Sequence, residues 1–417
     1  MKLADAAEIT NLIPANYITR DLHVDLVKHL KEPEVTILYG ARQVGKSSEI
    51  AVCISQLLKQ REKKGVFYFN LDFPSPDFKD PDIFLNSLIS QRTTVSERIY
   101  VFIDEAQRLS NIGLFIKYIY DKHLNIKFVL TGSASLDIKE KIKEPLTGRK
   151  LEFFLRPLSL GEILAHHNIV AQNIAGNFHT LQEILEDYLI YGGYPAVVAT
   201  LDLSRKRQRL QEIADSYIQR DIGALFGIEN ATNTKMVASF LAEGIGNLYS
   251  VENISKLTRL SKTEVLKNIE ALRKTFVTSS IYPFHKNKAK ELTRRPKIYF
   301  NDLGIRNAVL NKLGDSNLIF EKGVLFENAI AIQLFGMYGE QNLKYWRTIN
   351  QTEVDFVVEK DNSRLNAYEI KYSWKVGKIA KNLASFKKDY LPMLDVVKII
   401  SKDNYWEVLL AGAGTLN

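Results

Sequence analysis

Cysteine is almost absent from this chain of 417 residues, where Cys53 stands alone. A single thiol excludes an intrachain disulfide and a cysteine-based zinc cluster, and it suits a reducing interior. The amino terminus, Met1-Lys-Leu-Ala-Asp-Ala-Ala-Glu8, lacks the apolar core of a secretion signal, and no uncharged run is long enough to span a bilayer. A cytoplasmic protein with no membrane association is expected. Excess charge is scarce too: 56 Lys and Arg against 48 Asp and Glu leave +8. Its location says more than its size. Between Lys256 and Lys297 twelve Lys or Arg face only Glu264, Glu270 and Glu291, so the remainder of the chain is close to neutral. What is plentiful is apolar side chain, 46% of the total, enough over this length to fill two to four domain cores.

The run Gly40-Ala-Arg-Gln-Val-Gly45-Lys46-Ser47 follows an apolar strand, Val35-Thr-Ile-Leu38, and leads into a helix from Ser47 onward. Triphosphate binding needs this order. Glycines let the backbone wrap the phosphates, its N–H groups and the helix amino terminus attract their charge, Lys46 reaches the outer phosphates and Ser47 ligates Mg²⁺. Gly40, Ala41, Arg42, Gln43, Val44, Gly45, Lys46, Ser47 and Ser48 are therefore the expected ATP-binding residues. Arg98-Ile-Tyr-Val-Phe-Ile-Asp104-Glu105 is a second strand ending in two acids, with Asp104 suited to the Mg²⁺ shell and Glu105 to polarising the attacking water. A third strand, Lys127-Phe-Val-Leu130, ends in Thr131-Gly132-Ser133, where the Thr131 hydroxyl can sense the outer phosphate. Strands alternating with helical stretches predict a doubly wound α/β sheet with ATP at the carboxyl ends of its strands.

Residues 157–230 read as a helical lid or connector, broken at Gly192-Gly193 before Pro195. Tyr217-Ile-Gln-Arg220-Asp221 fits a packed helix with a salt-bridged face. From 231 to 300 the pattern changes. A helix ending near Gly246, a second from Val251 to about Arg259 and a third opened by the capping pair Ser261 and Glu264 precede two strands, Phe276–Tyr282 and Pro296–Phe300. The order is that of a winged helix. Its loop carries Lys286, Lys288, Lys290, Arg294 and Arg295, and its third helix carries Lys262, Lys267, Arg273 and Lys274, the electrostatic footprint of phosphate binding. DNA is the expected partner, held by its backbone or structure because no Asn or Arg array suited to base reading is evident. A protein contact or a merely solvated loop are the other uses of such a surface.

Beyond residue 300 an amphipathic helix, Gly323 to Phe335, carries Glu327 near its start. Strands Leu343–Arg347, Glu353–Glu359 and Asn366–Lys371 follow, with a turn at Asp361-Asn-Ser363. Residues two apart on a strand share a face, so Glu369 and Lys371 point together, and Asp355 lies on the neighbouring strand. Glu327, Asp355 and Glu369 make a hard oxygen set for Mg²⁺, with Mn²⁺ as a substitute, and Lys371 can orient or deprotonate a water. That is the logic of metal-assisted phosphodiester hydrolysis. A surface hairpin with outward charges is the plain alternative.

Two resemblances gather these features. The Gly40 to Ser47 loop, the Asp104-Glu105 strand, Leu130-Thr-Gly-Ser133, Leu146-Thr-Gly-Arg149 and Arg156-Pro-Leu-Ser159 resemble prokaryotic AAA ATPases that end in a domain of unknown function, whose second-domain patterns Tyr191-Gly-Gly-Tyr-Pro-Ala-Val-Val198 and Lys297-Ile-Tyr-Phe-Asn-Asp-Leu-Gly304 are similar. That resemblance implies a homo-oligomer, with a ring as one form, in which Arg149 completes a neighbouring subunit's ATP site. An ordinary surface arginine is the other reading of Arg149. Glu327, Asp355, Glu369 and Lys371 resemble the core of PD-(D/E)XK nucleases, although Glu353-Val354 stands where those enzymes usually carry a proline. The expected domains are an ATPase at 1–156, a lid at 157–230, a winged helix at 231–300 and a nuclease-like domain at 301–417. The expected function is ATP-dependent DNA processing with Mg²⁺-dependent cleavage. The alternatives are an ATP-switched binding, remodelling or signalling protein that does not cut, and a helicase or loader.

Overall fold

Val35-Thr-Ile-Leu-Tyr-Gly40 forms β1, whose β-branched and aliphatic side chains are buried along most of its length. It lies inside a parallel sheet of order β2-β3-β4-β1-β5, the other strands being β2 (Val66–Asn70), β3 (Ile99–Asp104), β4 (Ile126–Ser133) and β5 (Lys150–Leu155). The computed structural model describes residues 4–60, 65–73, 75–91, 97–133, 145–217, 231–285, 295–360, 363–374 and 381–410, and it divides into two units, Met1–Arg156 and Pro157–Asn417. In the first unit α1 (Ala6–Asn11) and α2 (His23–His29) precede β1, α3 (Lys46–Gln60) follows it, and α4 (Pro81–Ile89) and α5 (Ile112–Tyr120) join β2 to β3 and β3 to β4. Phe69, Phe78, Phe84 and Phe115 pack with ring centroids 5.0–5.7 Å apart. Each such buried ring contributes about 2 kcal/mol of apolar burial. β2, although an apolar run, and β5 are not among the strands named from the sequence. For β5 the reason is physical: it is an edge strand carrying Lys150 and exposed Glu152, so it shows no continuous apolar run.

In the second unit α6 (Leu160–His166), α7 (Phe178–Tyr191) and α8 (Leu203–Ser216) make up the helical stretch; residues 218–221 of the Tyr217 to Asp221 element lie outside the described residues. Three helices follow, α9 (Ala231–Glu243), α10 (Val251–Thr258) and α11 (Lys262–Lys274), and α11 opens with Ser261 and Glu264 capping each other. The hairpin β6 (Thr278–Pro283) and β7 (Lys297–Phe300) is antiparallel, and Leu248 bridges to Lys297. The polypeptide between them includes Lys286, Lys288, Lys290 and Arg294, which lie outside the described residues.

After α12 (Leu303–Val309), α13 (Lys322–Tyr338) departs from expectation. It is not amphipathic: every residue from Asn328 to Phe335 is buried, because the helix is wrapped on all sides. Then come β8 (Leu343–Arg347), β9 (Glu353–Glu359) and β10 (Leu365–Ile370) as an antiparallel meander, α14 (Lys381–Tyr390), and β11 (Leu394–Ile400) parallel to β10. β6 pairs in parallel with β8 through Tyr282 and Pro283, giving one six-stranded sheet of order β11-β10-β9-β8-β6-β7. That sheet runs unbroken through residue 300, where the sequence suggests a boundary.

Candidate functional sites

The first site forms where β1, β4 and β3 end side by side. Gly40 must be glycine, since a Cβ there would stand 2.1 Å from the Leu155 carbonyl oxygen on β5. Gly45 sits at φ +97°, open to glycine and strained for other residues. The Lys46 ammonium curls over the loop and donates to the Gly40 and Ala41 carbonyls at 3.0 and 2.8 Å. Ser47 and Ser48 are half-buried at the start of α3. Because β4 lies between β1 and β3, it sets Thr131 beside Asp104. The Thr131 hydroxyl donates to Asp104 Oδ1, and Tyr68 on β2 donates to Oδ2 at 3.2 Å. Glu105 is left-handed (φ +54°, ψ 42°), its N–H pointing at Asp104 Oδ1 (3.1 Å) and Thr131 Oγ1 (3.3 Å), while Gln107 donates to its carboxylate. A non-glycine residue in that conformation costs about 1 kcal/mol and fixes where its side chain leaves the strand.

Arg149 is elsewhere. It precedes β5 at the amino ends of the parallel strands, its carbonyl accepting from Val35 N at 2.8 Å, and its guanidinium is paired with Asp121 at 2.7 Å. It therefore stands at the edge of the sheet opposite its own phosphate loop. Two other arginines lie closer, Arg20, which the sequence does not flag, and Arg156, which appears there only within a family motif. Buried Arg20 donates to the Val44 carbonyl (3.0 Å) and the Arg156 carbonyl (2.5 Å), bracing the loop from behind, and Arg156 stacks on Phe154 at 4.6 Å. Behind α3, Glu49 accepts from Tyr17 and lies 2.6 Å from His23 Nδ1, whose charged form that hydrogen bond favours. His23, Glu49 and Cys53 have ligand atoms within 4.8 Å, but both Glu49 oxygens are already engaged.

The second site is a carboxylate cluster drawn from α13, β9 and β10. Asp355 Oδ2 accepts the Ile370 N–H at 2.7 Å, which ties β9 to the end of β10. One residue past the Tyr368–Phe356 pair, Glu369 is buried, with Lys371 at 2.8 Å and Asn382 at 3.4 Å from its Oε1. Its Oε2 is buried with no hydrogen-bond partner among the described residues. Glu327 accepts from Tyr299 at 2.7 Å. Gly246, at φ +74°, backs onto it so closely that a Cβ would stand 2.9 Å from its Oε1. Burial raises all three carboxyls above their ordinary range, and Asp355 adds to the rise at Glu327, which reaches about 7, and at Glu369. Asp355 thus acts electrostatically on both other acids, although the ligand atoms of the three do not all lie within 4.8 Å of one another, and the orphaned Glu369 oxygen is an acceptor suited to a hard cation.

β7 supplies two residues here to which the sequence assigned no role at this site, Lys297 being read as part of a basic segment and both as part of a family pattern. Lys297 ion-pairs with Glu353 at 2.5 Å and Glu327 at 3.8 Å, and Tyr299 follows two residues later on the same face. On α11 the expected phosphate-binding cations have acidic neighbours: Lys262 pairs with Glu252 (3.3 Å), and Arg273 and Lys274 both pair with Glu270. Lys267 and Arg295 are exposed.

The first unit, with its phosphate loop, Asp104-Glu105 strand and intervening Thr131 strand, is thus an AAA-type P-loop ATPase domain. The family described as an AAA domain matches residues 32–164, and two families described as domains of unknown function, DUF8612 and DUF4143, match residues 182–316 and 322–407. The Tyr191-Gly-Gly-Tyr-Pro and Asn301-Asp-Leu-Gly304 patterns fall in the intermediate region rather than in the terminal one. An uncharacterized protein of Haemophilus influenzae is 25% identical over 407 residues, covering 95% of this chain and 93% of that protein. Uncharacterized protein MJ1544 of Methanocaldococcus jannaschii is 24% identical over 371 residues, covering 84% and 77%. Among solved structures, Aeropyrum pernix Orc1 in complex with DNA aligns with 12% identity and a TM-score of 0.31 over 75% of this chain and 97% of that one. Cdc6p of Pyrobaculum aerophilum aligns with 12% identity and a TM-score of 0.30 over 75% and 98%. No helix among the described residues is long and apolar enough to cross a membrane.

Proposed function

We propose that this protein hydrolyses ATP at the phosphate loop and uses the nucleotide state to control Mg²⁺-dependent phosphodiester cleavage of DNA at the carboxylate cluster. What supports the second half is the succession α13, β8, β9, β10, α14, β11, an order that resembles PD-(D/E)XK nucleases, with Asp355 acting electrostatically on Glu327 and Glu369 and Lys371 at 2.8 Å from Glu369. At the loop, Lys46 and Ser47 hold the triphosphate, Thr131 orients Asp104, and Glu105 polarises the water. At the cluster, Glu327, Asp355 and Glu369 would hold the cation, which supplies charge neutralisation for the diester. Lys371, ion-paired and therefore a donor, orients the water. The water oxygen bonds to phosphorus as one P–O bond breaks, leaving a phosphomonoester and a hydroxyl. The three helices and the β6–β7 hairpin form the winged helix that grips the DNA backbone in this reading, and α6 to α8 form the connector.

A second reading, an ATP-switched DNA-binding, remodelling or signalling protein that does not cut, draws on the counter-charges: Lys297 and Lys371 already stand among the carboxylates. The test is incubation of wild type, Lys46→Ala, Asp355→Ala and Lys371→Ala with end-labelled linear, single-stranded and branched DNA and Mg²⁺, with and without ATP. Shortened products that vanish in both carboxy-terminal variants are expected. Intact DNA in every lane, with a gel shift and ATP turnover, overturns cleavage and leaves the switch.

A further inference from the structure

Lys297 belongs to the β6–β7 hairpin, yet its ammonium lies in the carboxylate cluster with only 3% of its side chain exposed. A buried lysine needs an acid, because removing its partner strands a charge in low dielectric. Lys297 has two. Glu327, at 3.8 Å, is one of the three proposed metal ligands, whereas Glu353, at 2.5 Å, is also held by Arg347 at 3.3 Å. The two partners differ in what they can release. Glu353 can keep the lysine while Glu327 turns to another cation.

We propose that Lys297 is the built-in counter-cation of the cluster and competes with a divalent cation for Glu327, so that metal binding ends the Lys297–Glu327 contact and leaves this lysine on Glu353 alone. The inference rests on the metal-site reading above. A divalent ion held by Glu327 would repel the Lys297 ammonium that stands 3.8 Å from the same carboxylate, and Glu353 offers that ammonium a second anion. The unpartnered Glu369 Oε2 supplies a ligand atom for the incoming ion without breaking a bond. Tyr299, on the same face of β7, keeps Glu327 aimed into the cluster while the lysine moves.

The experiment is calorimetric titration of nucleotide-free full-length protein with Mn²⁺, comparing wild type, Lys297→Met, Lys297→Arg and Asp355→Ala, with melting temperatures taken at zero and saturating Mn²⁺. The binding event lost in Asp355→Ala defines the site. Lys297→Met is expected to bind Mn²⁺ at least about tenfold more tightly than wild type, and Lys297→Arg within about threefold of it. Mn²⁺ should also raise the melting temperature of Lys297→Met more than that of wild type. Equal or weaker binding by Lys297→Met, with the Asp355-dependent event intact in wild type, overturns the competition and leaves the metal site standing. A Lys297→Met protein that stays unfolded even in saturating Mn²⁺ makes Lys297 a structural cross-link and also overturns it. Absence of any Asp355-dependent Mn²⁺ binding removes the metal reading and this inference together.

Discussion

Gly193 donates its N–H to Asp302 Oδ2 at 2.7 Å, joining two turns that lie 109 residues apart in sequence. The same carboxylate caps α12 through Ile305 N at 2.9 Å, and the Gly193 carbonyl accepts from Leu158 N at 2.7 Å. The glycines are forced by this joint. A Cβ at Gly192 would stand 2.4 Å from both Asp302 oxygens, one at Gly193 2.0 Å from the Leu158 carbonyl oxygen, and one at Gly304 2.2 Å from the Tyr191 carbonyl oxygen. The Tyr191-Gly-Gly-Tyr-Pro and Asn301-Asp-Leu-Gly patterns thus have a structural explanation: each is one half of a buried contact.

Substitution there should act on stability. Gly192 has φ +69° and ψ −157°, a region essentially restricted to glycine, so Gly192→Ala combines backbone strain with a clash and should cost about 3 kcal/mol or more. Asp302→Ala leaves the Gly193 and Ile305 N–H groups buried without an acceptor and should cost about 2 kcal/mol. Urea unfolding of the full chain measures both. A Gly192→Ala midpoint equal to that of wild type contradicts the joint.

Thr131 and Asp104 make a second testable pair. Thr131→Val keeps the shape and removes the hydroxyl that orients Asp104 and receives the Glu105 N–H. ATP turnover should fall about 10²-fold, as for loss of a positioned acid–base partner, with nucleotide affinity changed less than about threefold. Glu105→Gln should show the same split, retaining binding and losing turnover. Equal losses of affinity and rate in Thr131→Val would mean that the hydroxyl serves the loop rather than the reacting water.

The sequence reading succeeds where one element carries the signal. β1, β3 and β4 are central parallel strands and appear as apolar runs, and the motif acids Asp104, Glu105 and Glu369 sit at or beside strand ends, with Asp355 two residues inside β9, on strands that pattern alone can find. It fails where the signal is divided. Lys297 looks like one more cation of a basic segment, because nothing local tells that β7 is hydrogen-bonded into a sheet reaching β9, or that Glu327 waits on a distant helix. Arg20 offers no periodicity at all, since its role comes from carbonyls at Val44 and Arg156. The α11 cations err the other way. Glu270 is three residues before Arg273 and its pairing was legible, but Glu252 meets Lys262 only after two helices pack.

A pH signature should come from Lys127, fully buried on β4, whose ammonium donates to the Glu34 carbonyl and lies 3.3 Å from His29 Nδ1. Burial, then Arg98, pulls its pKa down to about 7 from 10.5; burial, then Lys127, pulls His29 down to about 4 from 6.5. Both values are depressed cations, so the unfolded chain binds the extra proton in each window. Stability therefore rises with pH between about 7 and 10 through Lys127, and falls as pH drops from 6.5 toward 4 through His29, by at most about 1.4 kcal/mol per pH unit each. Urea midpoints across pH 7–10 should climb in wild type and stay flat in Lys127→Met. A flat wild-type profile contradicts a neutral buried lysine.

Arg149 provides the last test, because its position separates two explanations of any effect it has. It lies at the amino ends of the strands, paired with Asp121, while Gly40, Asp104 and Thr131 lie at the carboxyl ends, so it cannot touch a nucleotide on its own loop. If it acts in hydrolysis, it does so in a neighbouring copy, and the arginine must leave Asp121 to reach it. Arg149→Ala should then lower turnover about 10³-fold while leaving nucleotide binding intact. Mixing it with Lys46→Ala should restore part of the rate, since an intact loop from one variant meets an intact arginine from the other. Asp121→Ala, which releases the guanidinium, should not slow turnover. A mixture no faster than either variant alone, with Arg149→Ala melting lower than wild type, would instead make the Arg149–Asp121 pair a staple of the sheet edge and remove the argument for a shared site.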